Sequence, residues 1–254
     1  MRVSGILSLF SLSLIVQAAP LEERANPVAV FLLAGDSTTA TQAPNGGGWG
    51  DGFKNFTMGP SSIAVNYGHN GATTSSFRSG GDWAKVLADV VKYAPTSAVY
   101  VTIQFGHNDM NSKLADYVET YKAGLRQMAA DVKGKGGKPV IVTPLSRRSY
   151  TKNGTIADTL GPWAGYAIGV ARETNTTYID LWQSSVHYLE QIGEVAARRL
   201  DSNVKDSTHV NVKGSIVFGR MVSDLLVRKI CKIGKVTKLD TALSNQIWSG
   251  IATY

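Results

Sequence analysis

The chain has 254 residues, of which 43% are hydrophobic, and a formal net charge of +7 at pH 7. A chain of this length buries a core large enough to be stable without disulfides, and its single cysteine, Cys231, excludes an intramolecular one. The basic runs at residues 133–138 and 228–238 suit a solvated turn and a helix C-terminus, although attraction to an anionic polymer is the alternative. Without a recognised binding motif, we expect no nucleic-acid partner.

The first 26 residues predict a secretory leader. Arg2 precedes an apolar stretch at residues 6–16, and Ala18 closes a short segment that signal peptidase accepts. We predict a signal peptide at residues 1–18 and a polar leader or disordered terminus at residues 19–26. No later run approaches the roughly 20 apolar residues of a membrane helix, so we expect a secreted, extracellular protein with no membrane partner.

Three Asn-x-Ser/Thr sequons support the secreted interpretation. They begin at Asn55, Asn153 and Asn175. Each sequon alone is weak evidence, but together with the leader they predict a glycoprotein.

Apolar runs alternate with helical patterns along the rest of the chain. In chain order the predicted elements are strands at 28–33 and 63–67, a helix at 82–93, a strand at 98–104, a helix at 114–132, a strand at 139–143, a helix at 163–174, a strand at 177–181, and helices at 184–200 and 213–230. The helix at 114–132 has the clearest pattern, with six apolar residues on one face: Leu114, Val118, Tyr121, Leu125, Met128 and Val132.

Nearly continuous apolar strands between helices indicate a parallel sheet that is covered on both faces. The predicted fold is therefore a single three-layer α/β/α domain of the flavodoxin-like kind, with a five-stranded parallel sheet. We place this domain at residues 27–231, and residues 232–254 form a C-terminal tail of unknown role.

Polar residues follow the predicted strands and fall at one edge of the sheet. Ser37 follows the first strand, Gly71 the second and residues 106–109 the third, while Asp206 and His209 precede the last helix. Ligands bind at the carboxyl edge of such sheets. Serine is a weak nucleophile unless an imidazole takes its proton and a carboxylate orients that imidazole. Ser37, His209 and Asp206 are therefore candidates for a hydrolytic triad.

These segments resemble the four consensus blocks of the SGNH (GDSL-like) hydrolase superfamily. Gly35-Asp36-Ser37-Thr38 is similar to the nucleophile block, and Gly71 matches the glycine of the second block. Gly106-His107-Asn108-Asp109 matches the third block, and Asp206-Ser207-Thr208-His209 the fourth. The sequence contains no G-x-S-x-G nucleophile elbow, which argues against the ordinary α/β-hydrolase family.

The resemblance implies a role for each matched residue. Ser37 would be the nucleophile, His209 the general base and then acid, and Asp206 the carboxylate that orients it. The oxyanion hole would consist of the backbone N–H groups of Ser37 and Gly71 and the side-chain amide of Asn108. No metal or organic cofactor is implied.

Structural interpretations of the same residues stay open. Ser37 alone would suit a helix N-cap, Asp206 a turn cap, His209 an exposed loop and Asn108 a bond to loop backbone. Further residues are expected to support the site or have no assigned role: Asp36 and Asp109 as loop supports, His107 as a structural residue, and His69 and His187 without a role.

Within the superfamily the chain is most similar to the fungal rhamnogalacturonan acetylesterases, on residues 34–38, 106–109, 143–148 and 178–181. This implies removal of O-acetyl groups from pectic rhamnogalacturonan, an acetylated plant cell-wall polysaccharide, through an acyl-enzyme formed by the Ser-His-Asp triad. We expect a monomeric enzyme. The disulfides of that subgroup cannot form here, and the tail has no counterpart in it. The alternatives are an acetylesterase acting on xylan or mannan, a short-chain lipid esterase, or a non-catalytic carbohydrate-binding relative.

Aromatic and basic residues are candidates for sugar binding. Trp49, Trp83 and Trp163 would stack on pyranose rings, and Arg147 or Arg148 would hold a uronate carboxylate. The alternative is that the tryptophans are core or rim residues. Cys231 is expected to be a buried small apolar residue, with an intermolecular contact as the alternative.

Overall fold

The computed structural model describes residues 1, 29–41, 47–111, 113, 115–157 and 159–253. Apart from Met1, the predicted signal peptide at 1–18 and the polar segment at 19–26 lie outside the described residues. Their prediction therefore stays a prediction.

Five parallel strands form the central sheet in the order β2-β1-β3-β4-β5. Their bounds are β1 Ala29–Gly35, β2 Ser62–Asn66, β3 Ala98–Gln104, β4 Lys138–Val142 and β5 Thr177–Ile179. In the register of the sheet, Ala29 of β1 lies opposite Ser62 of β2 and Ala98 of β3. The predicted α/β fold with a five-stranded parallel sheet is confirmed.

Helices cover both faces of this sheet. Their bounds are α1 Trp49–Phe56, α2 Thr74–Ser79, α3 Asp82–Tyr93, α4 Tyr117–Gly134, α5 Gly161–Glu173, α6 Leu181–Ala197, α7 Val212–Lys229 and α8 Thr241–Trp248. Buried residues of α1, α6, α7 and α8 pack on one face, and those of α2 to α5 on the other. No helix in the described part of the chain is long and apolar enough to cross a bilayer.

Strand β1 shows why the strand sequences are continuous apolar runs. Phe31 and Leu33 point to the layer that contains α1 and α7, whereas Val30 and Leu32 point to the layer that contains α3 and α4. All four side chains are fully buried. Since alternate residues of a strand face opposite sides, a sheet that is covered on both sides needs apolar residues at every position.

The structure differs from the prediction mainly at short elements. The predicted strand at 177–181 ends at Ile179, because the Asp180 carboxylate accepts a hydrogen bond from the Gln183 N–H (3.1 Å) and caps α6. Helices α1, α2 and α8 have eight residues or fewer and were not predicted. Leu114, on the predicted apolar face of α4, lies outside the described residues.

The C-terminal segment packs on the domain. Ile233, Val236 and Ile247 are buried in the core on the α7 side of the sheet. The Arg228 guanidinium lies 3.7 Å from the centre of the Trp248 ring. The segment therefore completes the cover of this face.

Cys231 is exposed, so the expectation that it is buried is wrong. The chain leaves α7 at Ile230 and enters a short 3-10 helix, Cys231–Lys235. Within that turn Ile233 is the residue that faces the core.

Candidate active site

Ser37, His209 and Asp206 form a continuous hydrogen-bonded chain. The distance between Ser37 Oγ and His209 Nε2 is 2.8 Å, and that between His209 Nδ1 and Asp206 Oδ2 is 2.7 Å. Ser37 is 8% exposed and the His209 side chain is 34% exposed, so the chain ends near the surface. This arrangement can transfer the hydroxyl proton of Ser37 to an imidazole that a carboxylate orients.

The Asp206 carboxylate is held by its own turn. Oδ1 accepts hydrogen bonds from the backbone N–H groups of Thr208 and His209, both at 2.9 Å, and Oδ2 also accepts one from the Ser202 hydroxyl at 3.0 Å. Partial burial raises the pKa of Asp206, but the N–H groups and the His209 ring outweigh it, and the pKa falls from 3.8 to about 2. Asp206 is therefore ionised at any pH at which His209 acts as a base.

The turn that carries Ser37 follows directly from the end of β1. The N–H groups of Thr39 and Ala40 donate to the Asp36 carbonyl, each at 3.0 Å. Asp36 Oδ1 accepts from the N–H of Thr38 at 2.9 Å and from its hydroxyl at 2.8 Å. Burial raises the pKa of Asp36, but the charge and hydrogen bond of His107 and the two Thr38 donors together lower it by more. The pKa of Asp36 therefore lies below 3.8. The predicted supporting role of Asp36 agrees with these contacts.

Gln104 also holds this turn, a role that the sequence motifs did not predict. Its Oε1 accepts from the Thr39 hydroxyl (2.7 Å) and from the Trp49 indole N–H (3.1 Å), and it shares the single proton of the Thr38 hydroxyl (2.8 Å) with Asp36. The available signal was a polar residue at the end of the otherwise apolar strand β3, where a buried amide needs several hydrogen-bonding partners.

Gly71 and Asn108 belong to the loops after β2 and β3. The His69 N–H donates to the Gly35 carbonyl at 2.9 Å, which holds the loop after β2 at the end of β1, where the Ser37 turn begins. Gly71 has φ of +77°, which favours glycine, and a Cβ there would meet nothing within 4 Å. Asn108 Nδ2 donates to the Ala72 carbonyl at 3.0 Å, which joins the two loops. The second N–H of that amide is a suitable donor for an anion, as are the backbone N–H groups of Ser37 and Gly71.

Similarity to known proteins identifies the family of this chain. Residues 33–215 match the GDSL-like Lipase/Acylhydrolase family. The chain belongs to this family. It is a carboxylic ester hydrolase.

Two named relatives and one solved structure support the assignment. The chain is 30% identical to "Rhamnogalacturonan acetylesterase RhgT" of Bacillus subtilis (strain 168), over 78% of this chain and 89% of that protein. It is 27% identical to the "Rhamnogalacturonan acetylesterase" of Emericella nidulans, over 73% of this chain and 79% of that protein. The crystal structure of YxiM from Bacillus subtilis superimposes with a TM-score of 0.70 at 26% identity, covering 79% of this chain and 56% of YxiM.

Asp109 is a second buried carboxylate of this esterase. Its Oδ1 accepts from the N–H (3.0 Å) and the hydroxyl (2.7 Å) of Thr74, while its Oδ2 is buried without a hydrogen-bonding partner in the described structure. Burial raises the pKa of Asp109 to about 6. The hydrogen bonds from Thr74 lower the pKa by a smaller amount, and the negative charge of Asp36 raises it. The carboxylate fixes the start of α2, but its charge costs folding free energy at neutral pH.

Replacing Asp109 by asparagine is therefore expected to stabilise the protein more at pH 7 than at pH 4. A raised folded-state pKa stabilises the fold at low pH, and that contribution is lost as the pH rises from 3.8 through 6. Asparagine keeps an acceptor for Thr74 and removes the charge. The unfolding free energy of Asp109→Asn relative to wild type should rise by about 2–3 kcal/mol between pH 4 and pH 7. Urea denaturation at both pH values measures this, and a difference that is independent of pH would contradict the assignment.

Arg148 does not bind substrate, contrary to the sequence-based expectation, because its side chain is fully buried. Its guanidinium forms an ion pair with Asp201 and donates through Nη2 to the His209 carbonyl at 2.8 Å. The backbone N–H of Arg148 also donates to the Ser207 carbonyl at 2.8 Å. Arg148 thus ties the loop after β4 to the loop that carries His209.

Replacing Arg148 by methionine should destabilise the protein by about 3–5 kcal/mol, because the Asp201 charge then stays buried without its main partner. It should also lower kcat, because His209 loses a backbone anchor. Urea denaturation and p-nitrophenyl acetate hydrolysis measure the two effects.

The double variant Arg148→Met with Asp201→Leu separates these effects. It should recover most of the stability, since it removes both charges, but not the turnover number. Full recovery of kcat would show that Arg148 acts on stability alone.

The tryptophans proposed to stack on sugar rings are core residues, so that expectation is wrong. Trp49 is fully buried, and Trp83 donates from its buried ring to Asp131 at 2.9 Å. Trp163 is 5% exposed, because it stacks on the Tyr117 ring at 5.8 Å and meets Tyr121 edge-on at 4.9 Å. None of them offers a ring face to a polysaccharide.

Arg147 lies next to the loop that carries His209. It is half-buried, and its Nε donates to the Thr208 hydroxyl at 3.2 Å. Its role in binding a uronate stays a prediction. The three sequon residues Asn55, Asn153 and Asn175 are exposed, which leaves their glycosylation a prediction as well.

Proposed function

We propose that this protein is a secreted carbohydrate acetylesterase that removes O-acetyl groups from pectic rhamnogalacturonan through an acetyl-Ser37 intermediate. The observation that carries the chemistry is the unbroken chain of short contacts from Ser37 Oγ through His209 to Asp206. Two relatives named rhamnogalacturonan acetylesterase, at 30% and 27% identity, support the polysaccharide substrate.

In the acylation step, Ser37 Oγ attacks the acetyl carbonyl carbon and passes its proton to His209 Nε2. The tetrahedral oxyanion accepts hydrogen bonds from the N–H groups of Ser37 and Gly71 and from the Asn108 amide. The intermediate collapses, the sugar oxygen leaves, and His209 returns the proton to it. Asp206 stays ionised and stabilises the imidazolium.

In the deacylation step, His209 removes a proton from water, which attacks the acetyl group on Ser37. Acetate leaves, and Ser37 recovers its proton from His209. The same residues, Ser37, His209, Asp206, Gly71 and Asn108, therefore serve both steps, and water is the only reactant besides the ester.

The substrate assignment is tested by measuring acetate release from acetylated rhamnogalacturonan and from acetylated xylan with equal acetyl content. We expect release from rhamnogalacturonan to be faster by about tenfold or more, which corresponds to one good specificity contact. Equal or faster release from xylan would overturn the pectic substrate and leave the acetylesterase chemistry in place.

Secretion rests on the leader pattern in residues 1–18. Amino-terminal sequencing of protein from the culture medium of an expressing eukaryotic host tests it. We expect the sequence to begin at Ala19. Recovery of the full-length chain inside the cells alone would contradict this proposal.

A further inference from the structure

A pocket of about 260 Å³ opens beside the proposed oxyanion hole. It is formed by the loop after β2, helix α2 and the start of α3, and its lining includes His69, Gly71, Ser76 and Asp82. Ala72, also in the lining, accepts the hydrogen bond from Asn108. The pocket thus begins at the groups that would bind the oxyanion.

The size of the pocket suits a single sugar ring. Pockets that enclose drug-sized ligands have about 300–1,000 Å³, so this one lies just below that range. A polymer whose acetyl group is placed at Ser37 has sugar units next to the reacting ester, and a pocket at Gly71 is in the position to receive one of them.

His69 and Asp82 are the polar pair of this pocket. The distance between His69 Nδ1 and Asp82 Oδ2 is 2.6 Å, and Asp82 Oδ1 accepts from Lys85 at 3.0 Å. The His69 side chain is nevertheless 59% exposed. Asp82 therefore fixes the ring through Nδ1, and Nε2 is the ring atom left for a hydroxyl of the ligand.

The charge of the pocket bears on the kind of sugar that it would accept. Among the described residues that line it there is no lysine or arginine, and Asp82 is its carboxylate. Burial raises the pKa of Asp82, but hydrogen bonds from Lys85 and His69 lower it more, so this group is an anion at neutral pH. The Lys85 ammonium beside the pocket is already paired with the Asp82 carboxylate at 3.0 Å. A uronate in the pocket would therefore meet the Asp82 charge and compete with it for Lys85, whereas a neutral ring has only hydroxyls to place.

We propose that this pocket binds one neutral pyranose unit of the substrate and that His69, oriented by Asp82, determines specificity for it. The inference rests on the proposed function, because rhamnogalacturonan alternates a neutral deoxy sugar with a uronate. The neutral unit would occupy the pocket, and the uronate would lie outside it.

The first test compares His69→Ala with the matched surface variant His187→Ala on acetylated rhamnogalacturonan and on p-nitrophenyl acetate. We expect His69→Ala to lower kcat/KM on the polymer about tenfold, mainly through KM, as one lost hydrogen bond would. Its kcat/KM on the aryl ester should stay within about twofold, and His187→Ala should match wild type on both. An equal loss on both esters, or no loss on the polymer, would overturn the proposal.

A second measurement tests the pocket even if the polymer is not a substrate. Methyl α-rhamnopyranoside and the sodium salt of methyl galactopyranosiduronic acid are compared as inhibitors of p-nitrophenyl acetate hydrolysis at pH 7. We expect the neutral glycoside to inhibit wild type more strongly, and His69→Ala to weaken that inhibition about tenfold. Equal or stronger inhibition by the uronate would contradict the neutral pocket. Wild type that releases no acetate from the polymer but shows the expected inhibition would sink the substrate assignment and leave the pocket in place.

Discussion

Ser37→Ala is expected to lower kcat for p-nitrophenyl acetate by about 10⁴–10⁶-fold, because no other group in the site can form the acyl intermediate. Folding should be almost unaffected. The lost hydroxyl is bonded to His209 at 2.8 Å, and the Asp36 turn around it keeps its own bonds to Thr38, Thr39 and Ala40. We expect the melting temperature to change by less than about 4 °C, which corresponds to about 1 kcal/mol.

Thr38→Val serves as the matched control for Ser37→Ala. It removes a neighbouring hydroxyl that holds the turn through Asp36 and Gln104 but does not contact His209 among the described hydrogen bonds. This variant should lose stability and keep measurable turnover. Normal turnover in Ser37→Ala would show that the nucleophile is another residue.

Asn108→Ala is expected to lower kcat by about 10²–10³-fold, since the amide is one of three proposed donors to the oxyanion. KM should change little, because the oxyanion exists only after the attack. Steady-state kinetics on p-nitrophenyl acetate separates kcat from KM.

Asn111→Ala controls for loss of loop structure. Its amide donates to the His107 carbonyl at 3.1 Å in the same loop, but it is exposed. If Asn108 only held the loop through Ala72, the two variants would lose similar amounts of activity. A turnover number for Asn108→Ala equal to that of wild type would exclude Asn108 from the oxyanion hole.

The fold could be predicted because its signals are local in the sequence. The bounds of β3 and α3 match the predicted ranges, since continuous apolar runs and regular helical spacing both come from core packing. The short helices α1 and α2 escaped prediction, because fewer than three turns give too little periodicity. Helix α2 begins at a capping box between Thr73 and Ser76. Threonine and serine at this spacing also occur in loops, so the sequence alone does not identify a helix start there.

The contact of Ser37 with His209 and Asp206 could also be predicted, because these residues occur in short ordered motifs and the sheet brings the carboxyl ends of its strands together. The burial of single residues could not. Arg148 and Trp49 have the residue types of a sugar-binding surface, but both are fully buried and hold loops in place. Whether a guanidinium faces a substrate or a backbone carbonyl depends on the path of distant loops, such as the one at 206–209, and not on its neighbours in sequence.

The pairing of His69 with Asp82 is a similar case. The two residues lie on different elements, and their contact depends on the Gly71 turn, with φ of +77°, and on Gly81, with φ of +91°. A histidine in a loop has no signal of its own that shows what it faces.

Labelling with a serine-directed phosphonate tests whether Ser37 is the nucleophile. The enzyme is labelled to increasing occupancy, and acetate release from acetylated rhamnogalacturonan is measured at each occupancy. Peptide mass spectrometry then locates the label. The proposed mechanism requires a single adduct on Ser37 and a loss of acetate release in proportion to its occupancy. An adduct on another residue, or undiminished acetate release from enzyme fully labelled at Ser37, would contradict it.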